Sequence, residues 1–202
     1  MVTTVTAVTA RGVQARERLI EAATAELAGT APFEVAGVAR RAGVSAGLPY
    51  RYFGTRTGLL VAVVDAFYQR FSDSIALRTY DAPTWAERER QRIGDWVHFL
   101  YAEPVAPAIL AGLGDGELAT ARSRWQQEMS KIGARNMAQG QRDGEIPVDR
   151  DPEYLAAATI GGTNAVVAVC LTRDPRPPAA DVIDQLWSFV AGAVGLDTTA
   201  KG

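Results

Sequence analysis

The segment from Val35 to Arg56, VAGVARRAGVSAGLPYRYFGTR, constrains the fold more than any other part of the chain. Val35, Val38 and Ala39 have the i, i+3, i+4 spacing of a helix with one apolar face. Gly43 predicts the end of that helix, because glycine adopts the left-handed C′ conformation without steric cost. A second helix follows within a few residues, which is the spacing of a helix-turn-helix motif.

The second helix of the motif is predicted from Ala46 to Phe53, with Ser45 as its N-cap. Pro49 lies in its first turn, where a missing N–H costs at most about one hydrogen bond, on the order of 1 kcal/mol. We therefore expect a stiff start to this helix and no break. Val44, Pro49 and Phe53 can face inward.

The other side of this helix has the chemistry of a surface that contacts DNA. Ala46, Gly47 and Leu48 allow close approach to bases, and arginine binds guanine through two hydrogen bonds in the major groove. Tyrosine hydroxyls and a neighbouring cation suit phosphates, which fix position and not sequence. The alternative is a helical hairpin whose aromatic residues serve only the fold.

Three stretches resemble the DNA-binding domain of the TetR family of bacterial transcriptional regulators. They are ARERLIEAATAELAG for the first helix, VARRAGVSAGLPYRYF for the motif and TRTGLLVAV for the start of the fourth helix. The resemblance implies an all-α protein with two domains. Residues 1–58 form a three-helix helix-turn-helix DNA-binding domain, and residues 59–202 form a helical effector-binding and dimerisation domain.

The family resemblance also implies a mechanism. A homodimer binds a palindromic double-stranded DNA operator, with recognition helices in successive major grooves about 34 Å apart. A small-molecule effector releases it. We expect a repressor, with an activator of the same architecture as the alternative. Arg51 is expected to read a base, and Arg56 falls where the family has a phosphate-binding lysine. The predicted DNA-binding residues are Ser45, Ala46, Gly47, Leu48, Tyr50, Arg51, Tyr52 and Arg56.

Charge is unevenly distributed along the chain. Residues 1–58 hold seven arginines and four glutamates, a net charge of +3, while the remainder carries −5 and the whole chain −2. A basic N-terminal part on an acidic body suits a protein that presents one end to phosphate.

Apolar spacing, caps and breaks predict the other helices. We expect helices at 16–27, from the cap Thr55 to about residue 77, at 105–113, at 117–139 and at 154–171, with a turn at Gly114-Asp115-Gly116. Thr84-x-x-Glu87 is a capping box for a further helix, and Asp151-Pro152 begins another. Residues 1–10 are expected to form a disordered tail.

The helix at 154–171 is apolar nearly all round and must be buried on more than one side. Together with the last helix of the chain it predicts apolar surface left over after intramolecular packing. A twofold interface buries the same patch twice, and this predicts a homodimer. The alternative is a larger intramolecular core.

Catalytic and metal chemistry is not evident. The single His98 and the single Cys170 exclude a disulfide within the chain and a Cys/His zinc cluster. No phosphate-binding loop and no nucleophile–base pair is visible. We therefore predict no enzyme, no metal and no cofactor. The lack of a signal peptide and of a run of ~18 apolar residues predicts a cytoplasmic protein without a membrane partner.

The resemblance implies an effector cavity between the helices of the second domain. Pockets have apolar walls with a few polar anchors. The residues predicted to bind the ligand are Trp96, Phe99, Trp125, Met129 and Asn164. The alternative for each is a place in an ordinary core. At the level of function, the rival is a helical ligand-binding or enzymatic protein that retains the hairpin as structure.

Overall fold

The computed structural model describes residues 10–112 and 116–196. These residues form nine α-helices and no β-strand, so the predicted all-α class is confirmed. The helices are α1 Ala10–Leu27, α2 Val35–Arg41, α3 Leu48–Phe53, α4 Arg56–Phe71, α5 Trp85–Ala102, α6 Ala106–Ala111, α7 Glu117–Arg142, α8 Pro152–Thr172 and α9 Ala179–Val194. The predicted tail, apart from Ala10, and most of the predicted turn at 114–116 lie outside the described residues.

Helices α1 to α3 pack around a small apolar centre. Leu19 and Val38 are fully buried there, and the predicted apolar face of α2 points inward. Gly43 has φ +66°, so it ends α2 in the left-handed conformation that the sequence predicts. The helix-turn-helix geometry follows from these contacts.

The predicted start of the second motif helix was wrong. The helix α3 begins at Leu48 and not at Ala46, and its N-cap is Gly47. Ser45 makes no side-chain cap; instead its backbone carbonyl accepts from the Leu48 N–H at 3.0 Å, in a turn that precedes the helix. Pro49 marks the true start, because a proline without an N–H is best placed at the first positions of a helix.

Helix α4 connects the two halves of the molecule. The Thr55 hydroxyl accepts from the Gly58 N–H at 2.9 Å, which confirms the predicted cap. The α-helix ends at Phe71 and continues as a π-helical turn, Ser72–Ala76, so the predicted single helix to residue 77 contains a change of register. Helix α4 packs against α1 and α3 on one side and α7 on the other.

The helices of the body begin where the caps predict. Thr84 and Glu87 form both hydrogen bonds of a capping box at the start of α5. Asp151 accepts from the Glu153 and Tyr154 N–H groups at the start of α8.

Helix α1 begins six residues before the predicted Arg16, because the segment before Arg16 continues the helix and buries Ala15.

Helix α8 is long and apolar. By length and composition alone it could cross a membrane, since a window of 18 residues within it has a mean hydropathy of 1.7. It packs against α6, α7 and α9, and core helices of proteins without a membrane pass the same test. The finding is therefore weak evidence for a span.

Candidate functional site

The outward side of α3 and the turn before it form the candidate nucleic-acid interface. Six of the eight predicted residues are exposed, and five of them lie on α3 or in the turn before it: Ser45, Ala46, Gly47, Tyr50 and Arg51. The sixth exposed residue, Arg56, lies at the first position of α4. Leu48 and Tyr52 are half-buried and pack against the core, so only one side of each is available to a partner.

The Arg51 side chain is available to bind a partner. Among the described residues it has no ion pair and no hydrogen-bond partner for its side chain. Its neighbour on the helix, Pro49, is buried and faces the opposite way. An exposed guanidinium without a partner can present its donors to a base edge or a phosphate.

Two other arginines beside the interface lie over aromatic rings. The Arg56 guanidinium carbon is 5.2 Å from the centre of the Phe33 ring, and that of Arg16 is 5.5 Å from the Phe53 ring. A cation over a ring face keeps its N–H donors free at the ring's edge. These contacts hold both cations near the outer surface of the motif.

A cavity of about 160 Å³ lies in the body, surrounded by α4, α5, α7 and α8 and the π-helical turn. Its walls are mostly aromatic and aliphatic. The apolar lining side chains include Phe67, Phe71, Ile75, Ile93, Trp96, Leu100, Leu110, Met129, Ile132, Met137 and Ile160.

The structure brings three of the five predicted ligand-binding residues to this cavity. Trp96, Met129 and Asn164 line it. Phe99 is not among the lining residues; its ring packs 5.4 Å from that of Phe67. Trp125 is also outside the lining, because its ring is stacked on Tyr68, with the centres 5.6 Å apart.

Sequence reasoning missed a polar cluster in the cavity wall. Glu89 and Arg92 form an ion pair one helical turn apart on α5, and the Asn136 amide donates to Glu89 at 2.8 Å. The signal available in the sequence was the Glu-x-x-Arg spacing on a helix. That spacing is so common on solvated faces that it did not single out these residues.

The Arg92 guanidinium is fixed from a second side. Its carbon is 4.8 Å from the centre of the Tyr80 ring, and the Tyr80 hydroxyl donates to Asp95 at 3.1 Å. Burial, together with the negative charge of Asp95 and this hydrogen bond, raises the pKa of Tyr80 to about 12. The phenol therefore stays neutral at physiological pH and keeps its place beside Arg92.

Other polar groups at the cavity differ in their availability. The Thr159 and Thr163 hydroxyls donate to backbone carbonyls of their own helix, at 2.7 and 2.8 Å respectively. Within the described parts of the chain, the Asn164 amide has no hydrogen-bond partner. The donors and the acceptor of Asn164 are thus free, and the Tyr68 hydroxyl likewise has no hydrogen-bond partner among the described residues.

Tyr68 connects the cavity to the outside of α4. It lines the cavity and stacks on Trp125, whose indole N–H donates to Asp65 at 2.8 Å. Arg124 donates to the same Asp65 oxygen at 2.5 Å. Burial raises the pKa of the Tyr68 hydroxyl, with an opposing contribution from Arg122. Helix α4 is therefore joined to α7 beside the cavity.

An apolar patch remains on α8 and α9. It consists of Tyr154, Val166 and Val169 on α8 and Phe189 on α9, which are 41% to 77% exposed. Cys170 beside them is buried. His98 is exposed on α5. The described residues contain no cluster of three potential metal ligands.

The helix order, with a helix-turn-helix followed by a helical body around a cavity, is shared with several solved structures of transcriptional regulators. Residues 19–63 match the family model described as "Bacterial regulatory proteins, tetR family". The predicted resemblance to this family is confirmed for the N-terminal region, and solved structures show that the rest of the chain shares the same fold. No curated protein sequence matches it.

Several solved structures share the fold over most of the chain. The fatty acid degradation regulator FadR from Bacillus halodurans is 18% identical with a TM-score of 0.76, covering 87% of this chain and 97% of its own. FadR from Bacillus subtilis, in complex with stearoyl-CoA, is 19% identical with a TM-score of 0.72, covering 88% and 98%. RolR in complex with resorcinol is 21% identical with a TM-score of 0.64, covering 92% and 89%.

Proposed function

We propose that the chain is a cytoplasmic, homodimeric repressor that binds a palindromic operator and is released by a small-molecule effector. The observation that carries the proposal is the exposed side of α3, where Arg51 has no partner within the described residues. On a helix-turn-helix, the second helix enters the major groove, and arginine there grips guanine.

The remaining residues of the interface have positioning roles. Ala46, Gly47 and Leu48 allow the backbone to approach the bases. The hydroxyls of Ser45, Tyr50 and Tyr52 and the Arg56 guanidinium are within the surface that would meet phosphates. Their exposure supports this assignment for all but the half-buried Leu48 and Tyr52, which contact DNA only with their outer edges.

The apolar patch on α8 and α9 supports the dimer. Its four residues are large and exposed, and they lie on the two final helices of the body. A twofold interface covers such a patch on both subunits at once. Two copies then present two copies of α3, which a palindromic operator requires.

Regulation is assigned to the cavity in the body. Two structures with the same fold hold stearoyl-CoA and resorcinol, which supports a small-molecule effector for this chain. Trp96, Met129 and Asn164 are assigned to ligand binding. Phe99 and Trp125 support the wall from behind. The effector acts by binding more tightly to a conformation that fits DNA less well.

The experiment is a titration of labelled DNA from upstream of the protein's own gene with the purified chain at several salt concentrations. We expect affinity to fall steeply with salt, because phosphate contacts release counterions. An unrelated fragment of equal length is the control.

The rival is a ligand-binding or enzymatic protein that retains the hairpin as structure. It predicts no preference for the upstream fragment. The position of the operator relative to the promoter distinguishes a repressor from an activator. An operator that overlaps the promoter supports the repressor, and an operator upstream of the promoter supports the activator.

A further inference from the structure

The size of the cavity restricts the effector. Its volume is about 160 Å³. An engineered protein cavity of about 150 Å³ lined by Leu, Ile and Phe accommodates benzene. The present cavity therefore accommodates one six-membered ring with one or two further heavy atoms, and a long alkyl chain would extend beyond it.

The wall between α7 and α8 resists widening. A Cβ added at Gly133 would lie 2.9 Å from the Ile160 side chain and 3.2 Å from the Ala156 Cβ. The two helices thus approach as closely as a glycine permits, with Ala156 fully buried between them. A larger ligand would have to separate two helices that are already in close contact, which loses packing on both.

The two charged side chains in the cavity wall, Glu89 and Arg92, neutralise each other. The Glu89 carboxylate is paired with Arg92 and bonded to Asn136, and Arg92 is also held over the Tyr80 ring. A ligand carboxylate would meet Glu89, and a ligand cation would meet Arg92. Neither charge finds an unpaired partner, and removing a ligand charge from water without one is unfavourable. The cavity therefore favours a neutral ligand.

The Asn164 amide is available as a polar anchor for that ligand. The Asn164 amide lines the cavity and has no partner in the described parts of the chain, whereas Thr159 and Thr163 are bonded to their own helix. An amide can both donate to and accept from a hydroxyl. Aromatic walls such as Phe67, Phe71 and Trp96 suit a flat ring.

We propose that the effector is a small neutral aromatic compound of the phenol class, with its ring among the aromatic walls and its hydroxyl on Asn164. This inference rests on the proposed function, which places the effector in this cavity. It goes further by excluding long-chain acyl compounds and small aromatic anions.

The test is calorimetric titration of the purified full chain with phenol, toluene, benzoate and dodecanoate. Phenol and toluene have nearly the same size, so their difference isolates the hydroxyl. We expect phenol to bind about tenfold more tightly than toluene, as for one net hydrogen bond. Benzoate and dodecanoate are expected to bind at least tenfold more weakly than phenol. Equal affinity for toluene, or tightest binding of dodecanoate, overturns the proposal.

Two variants assign the effect to residues. In Asn164→Leu the ratio of phenol to toluene affinity should fall to about one, whereas the exposed control Gln127→Leu on α7 should keep it. Glu89→Gln leaves Arg92 without its counter-charge, so benzoate should gain at least tenfold while phenol changes little. If Glu89→Gln leaves benzoate binding unchanged, the charge argument is overturned, even where Asn164→Leu fails to fold.

DNA binding by the same preparation separates this inference from the proposed function. Salt-dependent DNA binding that phenol reverses supports both. Intact DNA binding with no phenol binding overturns the ligand class alone, and phenol binding without any DNA binding overturns the proposed function alone.

Discussion

Helices α1 to α3 are filled inside and carry a polar, cationic edge, whereas helices α4 to α9 surround a cavity and carry an apolar patch. In the first region the exposed side chains without a partner, above all Arg51, point to function. In the second region the unfilled interior does so. The features that point to function thus lie on the surface of the first region and in the interior of the second. Helix α4 joins the two regions.

The largest expected effect tests how far the core of the body supports the whole chain. Trp85 is 1% exposed, its indole N–H donates to the Asn136 carbonyl at 3.2 Å, and its backbone N–H donates to Glu145. Trp85→Ala should lower the free energy of unfolding by about 3–5 kcal/mol in urea titrations. Trp85→Phe is the milder control, and a loss below about 1 kcal/mol for alanine would contradict this packing.

The second effect tests the apolar patch. Val169 is 52% exposed on α8, and Val169→Asp places a carboxylate where the subunits are proposed to meet. Burying an unpaired charge costs several kcal/mol, so light scattering should report a monomer, with about 100-fold weaker operator binding. Val148→Asp, at an 80% exposed position in the loop between α7 and α8, is the matched control. A dimer that persists in Val169→Asp would place the interface elsewhere.

The third effect tests the cationic edge. Arg51→Ala should weaken operator binding by about 1–3 kcal/mol and relax preference at one base position. Arg51→Lys keeps the charge but loses the two-point contact, so it should recover nonspecific affinity and not base preference. Titrations against single-base operator variants measure this. Equal losses on every sequence would mean that Arg51 contacts a phosphate.

Prediction from sequence succeeded where the signal was local. Gly43, Thr55 and the Thr84–Glu87 box each determine a helix end through their own backbone or hydroxyl. It failed at Ser45, because the turn uses that residue's backbone carbonyl and leaves its hydroxyl out of the cap. Pro49 already indicated the correct start of α3, because proline is best placed at the first positions of a helix.

The cavity was only partly predictable. Large side chains at helical spacing indicate an interior, but spacing does not separate a wall from the layer behind it. Phe99 and Trp125 lie in that second layer because they pack on Phe67 and Tyr68 respectively. Glu89 reaches the wall through tertiary contact with Asn136 on α7, 47 residues away in sequence.

A fourth effect compares hydroxyls in the two regions. Thr84→Ala should cost about 1 kcal/mol of stability, because it removes a side-chain cap and leaves a helix N–H without its acceptor. Ser45→Ala should change stability by less than about 0.5 kcal/mol, since its hydroxyl makes no cap. Thermal unfolding of both variants decides this, and a destabilisation of Ser45→Ala as large as that of Thr84→Ala would contradict the observed turn.

The smallest effect concerns a single phosphate contact. Arg56→Ala should weaken DNA binding equally on all sequences and reduce the slope of log affinity against log salt by about one unit. Arg70→Ala is the control, because Arg70 is bound to Glu103 at 2.9 Å on the body. An unchanged slope for Arg56→Ala would exclude it from the phosphate contacts.

The most direct test of the central claim is a footprint on the operator combined with the mass of the complex. The account predicts two protected half-sites centred about 34 Å apart, in successive major grooves on one face of the duplex, with both half-sites filled at once by protein. Protection of a single half-site by one protomer, or no protection at any salt concentration that leaves the protein folded, would contradict it.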